Sequence, residues 1–308
     1  MNNFIGIDGG GTSTRCVLTN EYLEVIADAG GGASNPLIVG FDNSTDIIFR
    51  LIKNVCNKSG IKKNINIVAG IAGCGSKTNS NKLKQLLLER IHTSEISVNF
   101  IEVVNDAQIA LEGALNGKPG TIIIAGTGSV LLGKDNSKKL YKIGGYGKLI
   151  GDEGSGYSIG LKGLKAVSKY FDGRGKKTKL VDYLASEYGI INRDEMITKV
   201  YSRCFDIADV SKHVLKAADK RDKVCMQIIT KEIKELILHI KAFKKNIKEK
   251  KIVLSFAGSL LTNKNYYSRK LKREITGSFK NIKIIKAKYP PVIGAVILAK
   301  KLFTRESL

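Results

Sequence analysis

The residues of this chain that could do chemistry lie in short glycine-rich turns beside acidic or hydroxyl side chains. Asp8 ends a short apolar segment, and Gly9-Gly10-Gly11-Thr12 follows it directly. Glycines permit the backbone angles of a tight turn, whose successive N–H groups can converge on phosphate oxygens. The Thr12 hydroxyl adds a donor, and Asp8 could hold Mg²⁺ through water, because this ion sheds its hydration shell reluctantly. An ordinary hairpin is the alternative.

A second turn, Gly126-Thr127-Gly128-Ser129, has the same glycines and hydroxyls without the acid. Each turn stands between two short apolar segments typical of β-strands, so the sequence predicts two lobes of similar architecture. Neither turn is a Walker A motif, because no glycine run is followed by Gly-Lys-Ser/Thr. A strand rather than a helix follows Gly11, which also excludes a dinucleotide-binding fingerprint.

Asn105-Asp106 stands between a predicted strand, Val98–Val104, and a predicted helix, Asp106–Leu115. Aspartate is a favoured N-cap, so Asp106 could simply begin the helix. It could also be a general base that takes the proton of an attacking hydroxyl, since phosphoryl transfer depends mostly on positioning and charge neutralisation. The residue types alone leave both roles open.

Two further segments are rich in glycine and polar residues, Gly144-Gly145-Tyr146-Gly147 and Gly151-Asp152-Glu153-Gly154-Ser155. The two acids precede a predicted helix and could simply interact favourably with the positive end of its dipole. Alternatively, the segments form a substrate pocket in which glycines admit close approach, Asp152 accepts hydrogen bonds from sugar hydroxyls and Tyr146 gives a flat wall. Ser34-Asn35-Pro36 is a turn by composition.

Strands alternate with helices throughout the chain, which is typical of an α/β fold. Besides the elements named above, strands are predicted at residues 65–70, 251–256 and 282–286, and a long helix at 223–243. A further helix is predicted from Pro291, since helices accept proline in their first turn. The turn-forming cluster at 116–120 marks the boundary between the two lobes.

The amino-acid composition indicates which kinds of partner and which cellular compartment to expect. The 308 residues carry a net charge of +23, and residues 1–118 hold 11 basic and 11 acidic side chains, so the excess lies in the second half. The lysine runs there alternate with apolar residues at helical spacing, which favours solvated helix faces over a nucleic-acid surface. No apolar run approaches the roughly 18 residues that span a bilayer. Five cysteines without C-x-x-C spacing fit reduced thiols. We therefore expect a cytoplasmic protein without nucleic-acid or membrane partners.

Taken in order along the chain, these motifs resemble those of the BadF/BadG/BcrA/BcrD ATPase family, within the sugar-kinase, Hsp70 and actin superfamily. Within that family they are most similar to the N-acetylglucosamine kinase branch. The matching segments cover almost the whole chain: Ile7-Asp8-Gly9-Gly10-Gly11-Thr12, Ser34-Asn35, Gly70-Ile71-Ala72-Gly73, Asn105-Asp106-Ala107, residues 125–129, 144–147 and 151–155, Phe256-Ala257-Gly258 and Gly294-Ala295-Val296.

The resemblance implies a two-lobed, actin-like α/β fold in which each lobe is a ribonuclease H-like mixed sheet flanked by helices. Residues 1–118 would form the N-terminal lobe and residues 119–290 the C-terminal lobe. The C-terminal helix at 291–308 would pack back on the N-terminal lobe.

The resemblance also assigns a role to individual residues. Asp106 would be the catalytic base, and Asp8 would hold Mg²⁺ through water. The residues that bind ATP and its phosphates would be Gly10, Gly11, Thr12, Gly126, Thr127, Gly128, Ser129, Ala257 and Gly258. The residues that bind the sugar would be Asn35, Asn105, Asp106, Gly145, Tyr146, Asp152 and Ser155.

These roles imply a kinase that uses ATP and Mg²⁺ to phosphorylate the 6-hydroxyl of N-acetylglucosamine, N-acetylmuramic acid or both, in salvage of cell-wall amino sugars. Analogy with the family admits a homodimer. Two alternatives stay open: a glucosamine kinase, and an ATP-driven activator of a 2-hydroxyacyl-CoA dehydratase-type enzyme. Such activators hold an iron–sulfur cluster on cysteines in glycine-rich loops, and here only Cys74 has that setting. The chain also departs from the family at Tyr146, where tryptophan is frequent, and at Ser259, where the adenosine loop commonly has a second glycine.

Overall fold

The computed structural model describes residues 2–306, which form two compact units. Unit 1 contains the described residues up to Pro119 and those from Lys286 onward, and unit 2 runs from Gly120 to Ile285. The strands are β1 (Asn3–Gly9), β2 (Thr14–Thr19), β3 (Val25–Gly31), β4 (Ile65–Ile71), β5 (Val98–Val104), β6 (Gly120–Ala125), β7 (Ser129–Lys134), β8 (Leu140–Gly144), β9 (Ile252–Ala257) and β10 (Ile282–Ile285).

Helices connect and cover these strands. They are α1 (Pro36–Val39), α2 (Phe41–Ser59), α3 (Lys77–His92), α4 (Asp106–Leu115), α5 (Gly156–Phe171), α6 (Leu180–Tyr188), α7 (Arg193–Val200), α8 (Val210–Asp219), α9 (Lys223–Asn246), α10 (Ser259–Thr262), α11 (Tyr266–Ser278) and α12 (Pro291–Glu306). Within residues 2–306, none of them has the length and apolar character that crossing a bilayer requires.

The sheet of unit 1 is mixed, with strand order β3-β2-β1-β4-β5. Strand β1 is antiparallel to β2 and parallel to β4, and β4 is parallel to β5. The register pairs Asp8 with Gly70, and Gly70 with Val104. Because the carboxyl ends of parallel strands meet at one edge of a sheet, the loops that follow β1, β4 and β5 lie side by side.

Unit 2 repeats the same topology, with strand order β10-β9-β6-β7-β8. Strand β6 is antiparallel to β7 and parallel to β9, and the register pairs Ile124 with Ala257. The turn after β6 and the loop after β9 are therefore neighbours at one edge. Two mixed sheets of equivalent strand order, each flanked by helices, confirm the α/β architecture predicted from the sequence.

Helix α12 completes the core of unit 1, where Val292 and Val296 are buried together with Phe4 and Ile109. Glycines allow α12 and its neighbours to approach each other closely. A Cβ at Gly294 would overlap the carbonyl oxygen of Ile109 in α4. Backbone contact of this kind leaves no room for a side chain, so a glycine at this position is a packing requirement.

We predict that Gly294→Ala lowers the free energy of unfolding by about 3 kcal/mol, the upper end of the usual cost of overpacking, because backbone atoms must move to admit the methyl group. Chemical denaturation followed by circular dichroism measures this change. Gly277→Ala is the matched control, because a Cβ there meets nothing within 4 Å in helix α11. Alanine is the better helix former, so the control should be neutral or slightly more stable. Equal effects of the two substitutions would contradict this packing account.

Candidate active site

Two carboxylates lie at the carboxyl edge of the unit 1 sheet. Asp8 is at the end of β1, and Asp106 is the first residue of α4, directly after β5. Burial and, to a smaller extent, the negative charge of Asp106 raise the pKa of Asp8 to about 6, and the positive charge of Arg15 opposes this rise. The two carboxylates are therefore close enough to repel each other, and a cation between or beside them would relieve that repulsion.

The turn that follows Asp8 presents backbone donors to solvent. The turn is closed by the Gly10 N–H, which donates to the carbonyl of Ser13 at 3.0 Å. Gly11 and Thr12 are exposed, and their N–H groups have no acceptor among residues 2–306. Unpaired, exposed N–H groups on a glycine turn are suited to phosphate oxygens. These donors lie in the turn that the sequence predicts to be the first phosphate loop.

Asn105 and Asn35 have equivalent local roles in unit 1. The Asn105 Oδ1 atom accepts from the Ala107 N–H at 3.1 Å and caps α4, while the Asn35 Oδ1 atom accepts from the Leu37 N–H at 3.0 Å and caps α1. The N-cap of α4 is therefore Asn105, and Asp106 lies one residue inside the helix. Asp106 is therefore not the N-cap residue, one of the two interpretations left open by the sequence, although its Oδ1 atom also accepts from the Ala107 N–H, at 3.0 Å.

The loop after β4 connects these two asparagines. A Cβ at Gly73 would overlap the Asn35 side chain, and a Cβ at Gly75 would lie 3.6 Å from the Asn105 Nδ2 atom. Asn35, Asn105 and Asp106, three of the predicted sugar-binding residues, thus lie around one short loop.

Cys74 lies in that same loop and is buried. Burial raises the pKa of its thiol to about 11, and the negative charge of Asp106 contributes to the rise. A thiol in this state remains protonated at neutral pH and is a poor ligand or nucleophile. The remaining cysteines among residues 2–306 are buried as well, except for Cys204.

In unit 2, the turn after β6 is held by the start of helix α5. The carbonyls of Gly126 and Thr127 accept from the N–H groups of Gly156 and Tyr157 at 2.8 and 3.2 Å. With these carbonyls turned to α5, the N–H groups of Thr127 and Gly128 have no acceptor within the described part of the chain. The second predicted phosphate loop therefore presents donors in the same way as the first.

Asp152 and Ser155 stabilise this arrangement. The Asp152 Oδ1 atom accepts from the Ser129 N–H at 3.3 Å, and the Ser155 hydroxyl caps α5 by accepting from the Ser158 N–H at 3.1 Å. Ser155 is fully buried. Both side chains were predicted to bind sugar, and in unit 2 they contact the turn at 126–129 and the helix that holds it.

Gly145 and Tyr146 lie in the loop after β8. Tyr146 is 76% exposed, and Leu149 and Ile150 of the same loop are exposed as well. Three large apolar side chains in one solvent-facing loop are suited to contact with a flat ligand face. Contact of Tyr146 with the sugar stays a prediction.

A cavity of about 240 Å³ lies next to the second turn. Gly126 and Thr127 line one side, and Ser259 and Leu260 line another. These last two follow the predicted adenosine residues Ala257 and Gly258 at the carboxyl end of β9. The remaining wall comes from the segment at 206–212, with Asp206, Asp209, Ser211 and Lys212.

The residues of that remaining wall were not among the predicted site residues. Ser211 and Lys212 belong to the start of α8, whose N-cap residue makes no side-chain capping bond. Without a capping signal or a glycine motif, no pattern in the sequence connects this segment with the turn at 126–129 or with β9.

The donor set at Asp8 fits Mg²⁺. Among residues 2–306, no group of three or more histidine, cysteine or acidic side chains could hold a metal ion. The unit 1 edge therefore offers two carboxylates at most, and phosphate oxygens and water would have to complete the coordination. Magnesium is commonly bound in this way, by one or two carboxylates together with substrate phosphates.

The chain is similar to known proteins along nearly its whole length. The pattern of the BadF/BadG/BcrA/BcrD ATPase family matches residues 5–299. An N-acetylmuramic acid/N-acetylglucosamine kinase of Clostridium acetobutylicum is 31% identical over 307 residues, covering 97% of this chain and 99% of the relative. An N-acetyl-D-glucosamine kinase of Dictyostelium discoideum is 30% identical over 313 residues, covering 96% and 97%.

A solved structure shows the same fold. A Chromobacterium violaceum protein, provisionally assigned as an N-acetylglucosamine kinase, has a TM-score of 0.75 at 21% identity, covering 97% of this chain and 99% of that one. The fold is that of the actin-like sugar kinases, which confirms the fold class predicted from the sequence.

The position of Gly258 yields a prediction for nucleotide binding. Its φ is +82°, and a Cβ there would overlap the carbonyl oxygen of Ala125, directly before the second turn. Gly258→Ala should weaken ATP binding about tenfold, because overpacking of 1–3 kcal/mol displaces the turn. Isothermal titration calorimetry measures the affinity.

Gly189→Ala is the matched control, because Gly189 has a φ of +67° but nothing within 4 Å of an added Cβ. It introduces similar backbone strain without the overlap. An affinity for ATP that falls equally in both variants would show that the contact with Ala125 is irrelevant.

Proposed function

Because the chain belongs to the BadF/BadG/BcrA/BcrD ATPase family, we propose that it is an ATP-dependent kinase that phosphorylates the 6-hydroxyl of N-acetylglucosamine, N-acetylmuramic acid or both. The full-length similarity to kinases of these two amino sugars supports the choice of substrate. The observation that carries the proposal is the placement of Asp106 at the edge of the unit 1 sheet, beside Asp8 and its phosphate turn. In this proposal, unit 1 supplies both the base that activates the acceptor hydroxyl and a turn that binds phosphate.

Asp106 acts as the general base in this proposal. Phosphoryl transfer requires an acceptor oxygen in line with the phosphorus atom and a group that receives the hydroxyl proton. The cap formed by Asn105 fixes the start of α4 and thereby the backbone from which Asp106 projects. Asn35 and Asn105 would hold the sugar hydroxyls around the loop at 73–75.

Unit 2 binds the nucleotide in this proposal. The unpaired N–H groups of the turn at 126–129 would hold phosphate oxygens, and the adjacent cavity would take the nucleoside beside Ala257 and Gly258. Lys212 in the cavity wall offers a cation, and Asp206 offers a carboxylate to hydroxyl groups. ATP is the nucleotide expected of this ATPase family.

Asp8 holds Mg²⁺ in this proposal, through water. The ion would neutralise the phosphate charge and the repulsion between Asp8 and Asp106. The chain's own contribution is to keep two carboxylates and a row of N–H donors at one edge of a sheet.

The sugar contacts of unit 2 are part of the same proposal. Tyr146 would lie against the sugar face, and Gly145 would admit close approach of the sugar. Asp152 and Ser155 would bind the sugar from the segment that supports the second turn. A cytoplasmic role in amino-sugar salvage and a homodimeric state remain predictions.

The experiment that tests the function is ADP release in the presence of ATP and Mg²⁺. The acceptors are N-acetylglucosamine, N-acetylmuramic acid, glucosamine, N-acetylmannosamine and glucose, with a sugar-free control. We expect release that requires an N-acetylated amino sugar. A preference for glucosamine would show that the substrate is the free amino sugar and not an N-acetylated one. ADP release independent of any sugar would contradict a kinase.

We predict that Asp106→Asn lowers kcat by about 10²–10⁴-fold while the sugar still binds, because the amide preserves the shape but accepts no proton. Steady-state kinetics and sugar titration measure the two quantities. Asp194→Asn is the matched control, since Asp194 is also an acid in the first turn of a helix, α7. A kcat for Asp106→Asn within a few-fold of the wild type would remove Asp106 from the role of base.

We predict that Asp8→Asn raises the Mg²⁺ concentration for half-maximal rate about tenfold or more, since Mg²⁺ affinity depends on the charge of its ligands. Magnesium titration at saturating ATP and sugar measures it. Asp28→Asn, at an exposed acid of β3 in the same unit, is the control. An unchanged magnesium dependence of Asp8→Asn would contradict the assignment of Asp8.

A further inference from the structure

A charged residue is buried in the core of unit 2. Glu232 lies on the inner face of α9 and is completely buried. Its carboxylate accepts from the Gly154 N–H at 2.5 Å and from the Ser158 hydroxyl at 3.0 Å, and it also pairs with the Lys162 ammonium. Burying a carboxylate is costly unless every oxygen has a partner, and here both oxygens do.

A second buried group holds the other side of the same peptide segment. Tyr267 of α11 is fully buried, and its hydroxyl donates to the carbonyl of Gly154 at 2.8 Å. Burial raises the pKa of this phenol well above its usual value, and the negative charge of Glu232 adds to the rise. The phenol therefore remains a donor at all physiological pH values. Gly154 is thus held through its N–H by α9 and through its carbonyl by α11.

The residues on either side of Gly154 hold the second phosphate turn. Before it, Asp152 accepts from the Ser129 N–H, and the carbonyl of Glu153 accepts from the Ser129 hydroxyl at 2.5 Å. After it, the first two N–H groups of α5 donate to the carbonyls of the turn, as described above. Every one of these four bonds comes from the segment at 152–157, whose centre is Gly154.

From this chain of contacts we infer that Glu232 and Tyr267 are positioning residues for the second phosphate turn, although neither lies in the turn or in the cavity beside it. They fix the peptide of Gly154, the segment at 152–157 then fixes the turn, and the turn presents the N–H groups of Thr127 and Gly128 to phosphate oxygens. The inference rests on the proposed role of this turn in binding ATP.

The alternative is a purely structural role in the core. Glu232 occupies a position where the helical spacing calls for an apolar side chain, between Ile228 and Leu236 on the buried face of α9. Replacement of a buried ion pair by apolar residues is often neutral or stabilising, so stability alone does not account for a carboxylate here. A role in fixing the position of the Gly154 peptide through hydrogen bonds does account for the carboxylate.

The test uses Tyr267→Phe and Glu232→Gln in the full chain, with nucleotide affinity as the readout. Tyr267→Phe removes one hydrogen bond and should weaken binding of ATP about fivefold; Glu232→Gln disturbs a charged group and should weaken it about tenfold or more. Isothermal titration calorimetry without sugar measures these affinities. In kinetics, the KM for ATP should rise while the KM for the sugar stays within twofold.

Tyr141→Phe is the matched control. Its hydroxyl also donates a hydrogen bond, to the carboxylate of Asp135, but it lies on β8 beside the end of β7 that is remote from the turn. Thermal unfolding of all three variants monitors stability. If Glu232→Gln does not fold, Tyr267→Phe alone decides the question.

Wild-type ATP affinity in Tyr267→Phe, or equal rises of both KM values in proportion to lost stability, would overturn the inference. Because ATP binding is measured without an acceptor, this result is separate from the proposed activity. A chain that binds ATP but phosphorylates no amino sugar would refute the kinase and still test the positioning residues.

Discussion

Parallel strand pairing is the constraint on which the chemistry of this protein depends. In unit 1 the pairing of β1 with β4 and of β4 with β5 brings three loops to one sheet edge, so Asp8, the loop at 73–75 and Asp106 become neighbours although about a hundred residues separate the first from the last. In unit 2 the pairing of β6 with β9 does the same for the second turn and the loop after β9. Any loss of register would separate these groups.

Each turn is held in place by bonds to its carbonyl groups, while the N–H groups of Gly11 and Thr12 in one turn and of Thr127 and Gly128 in the other have no acceptor among residues 2–306. In unit 1 the carbonyl of Gly10 accepts from the N–H groups of Ser34 and Asn35. In unit 2 the start of α5 supplies the donors, and Glu232 and Tyr267 stabilise the segment that contains it. Buried hydrogen bonds thus hold both turns in place. Breaking one of these bonds would leave a buried polar group without a partner, which costs free energy.

The sequence predicted the elements that carry its motifs more accurately than the rest. The bounds of β5 and α4 were predicted as the structure has them, because a strongly apolar run ends at a polar pair that begins a helix. Helix α8 was missed, since it lacks a capping bond, and the cavity wall that it forms was missed with it. Glu232 could have been recognised from the sequence, because it is an acidic residue at a core position of an amphipathic helix. The hydrogen bond between Asp152 and the Ser129 N–H depends on a tertiary contact that no local pattern encodes.

The identity and position of the phosphorylated hydroxyl test the central claim most directly. The product formed from ATP and N-acetylglucosamine is analysed by phosphorus–proton correlation NMR. The account predicts one phosphosugar, with its phosphorus coupled to the two protons on carbon 6. Phosphorus coupled to the proton on carbon 1, or inorganic phosphate as the only product, would contradict a kinase in which Asp106 activates the 6-hydroxyl.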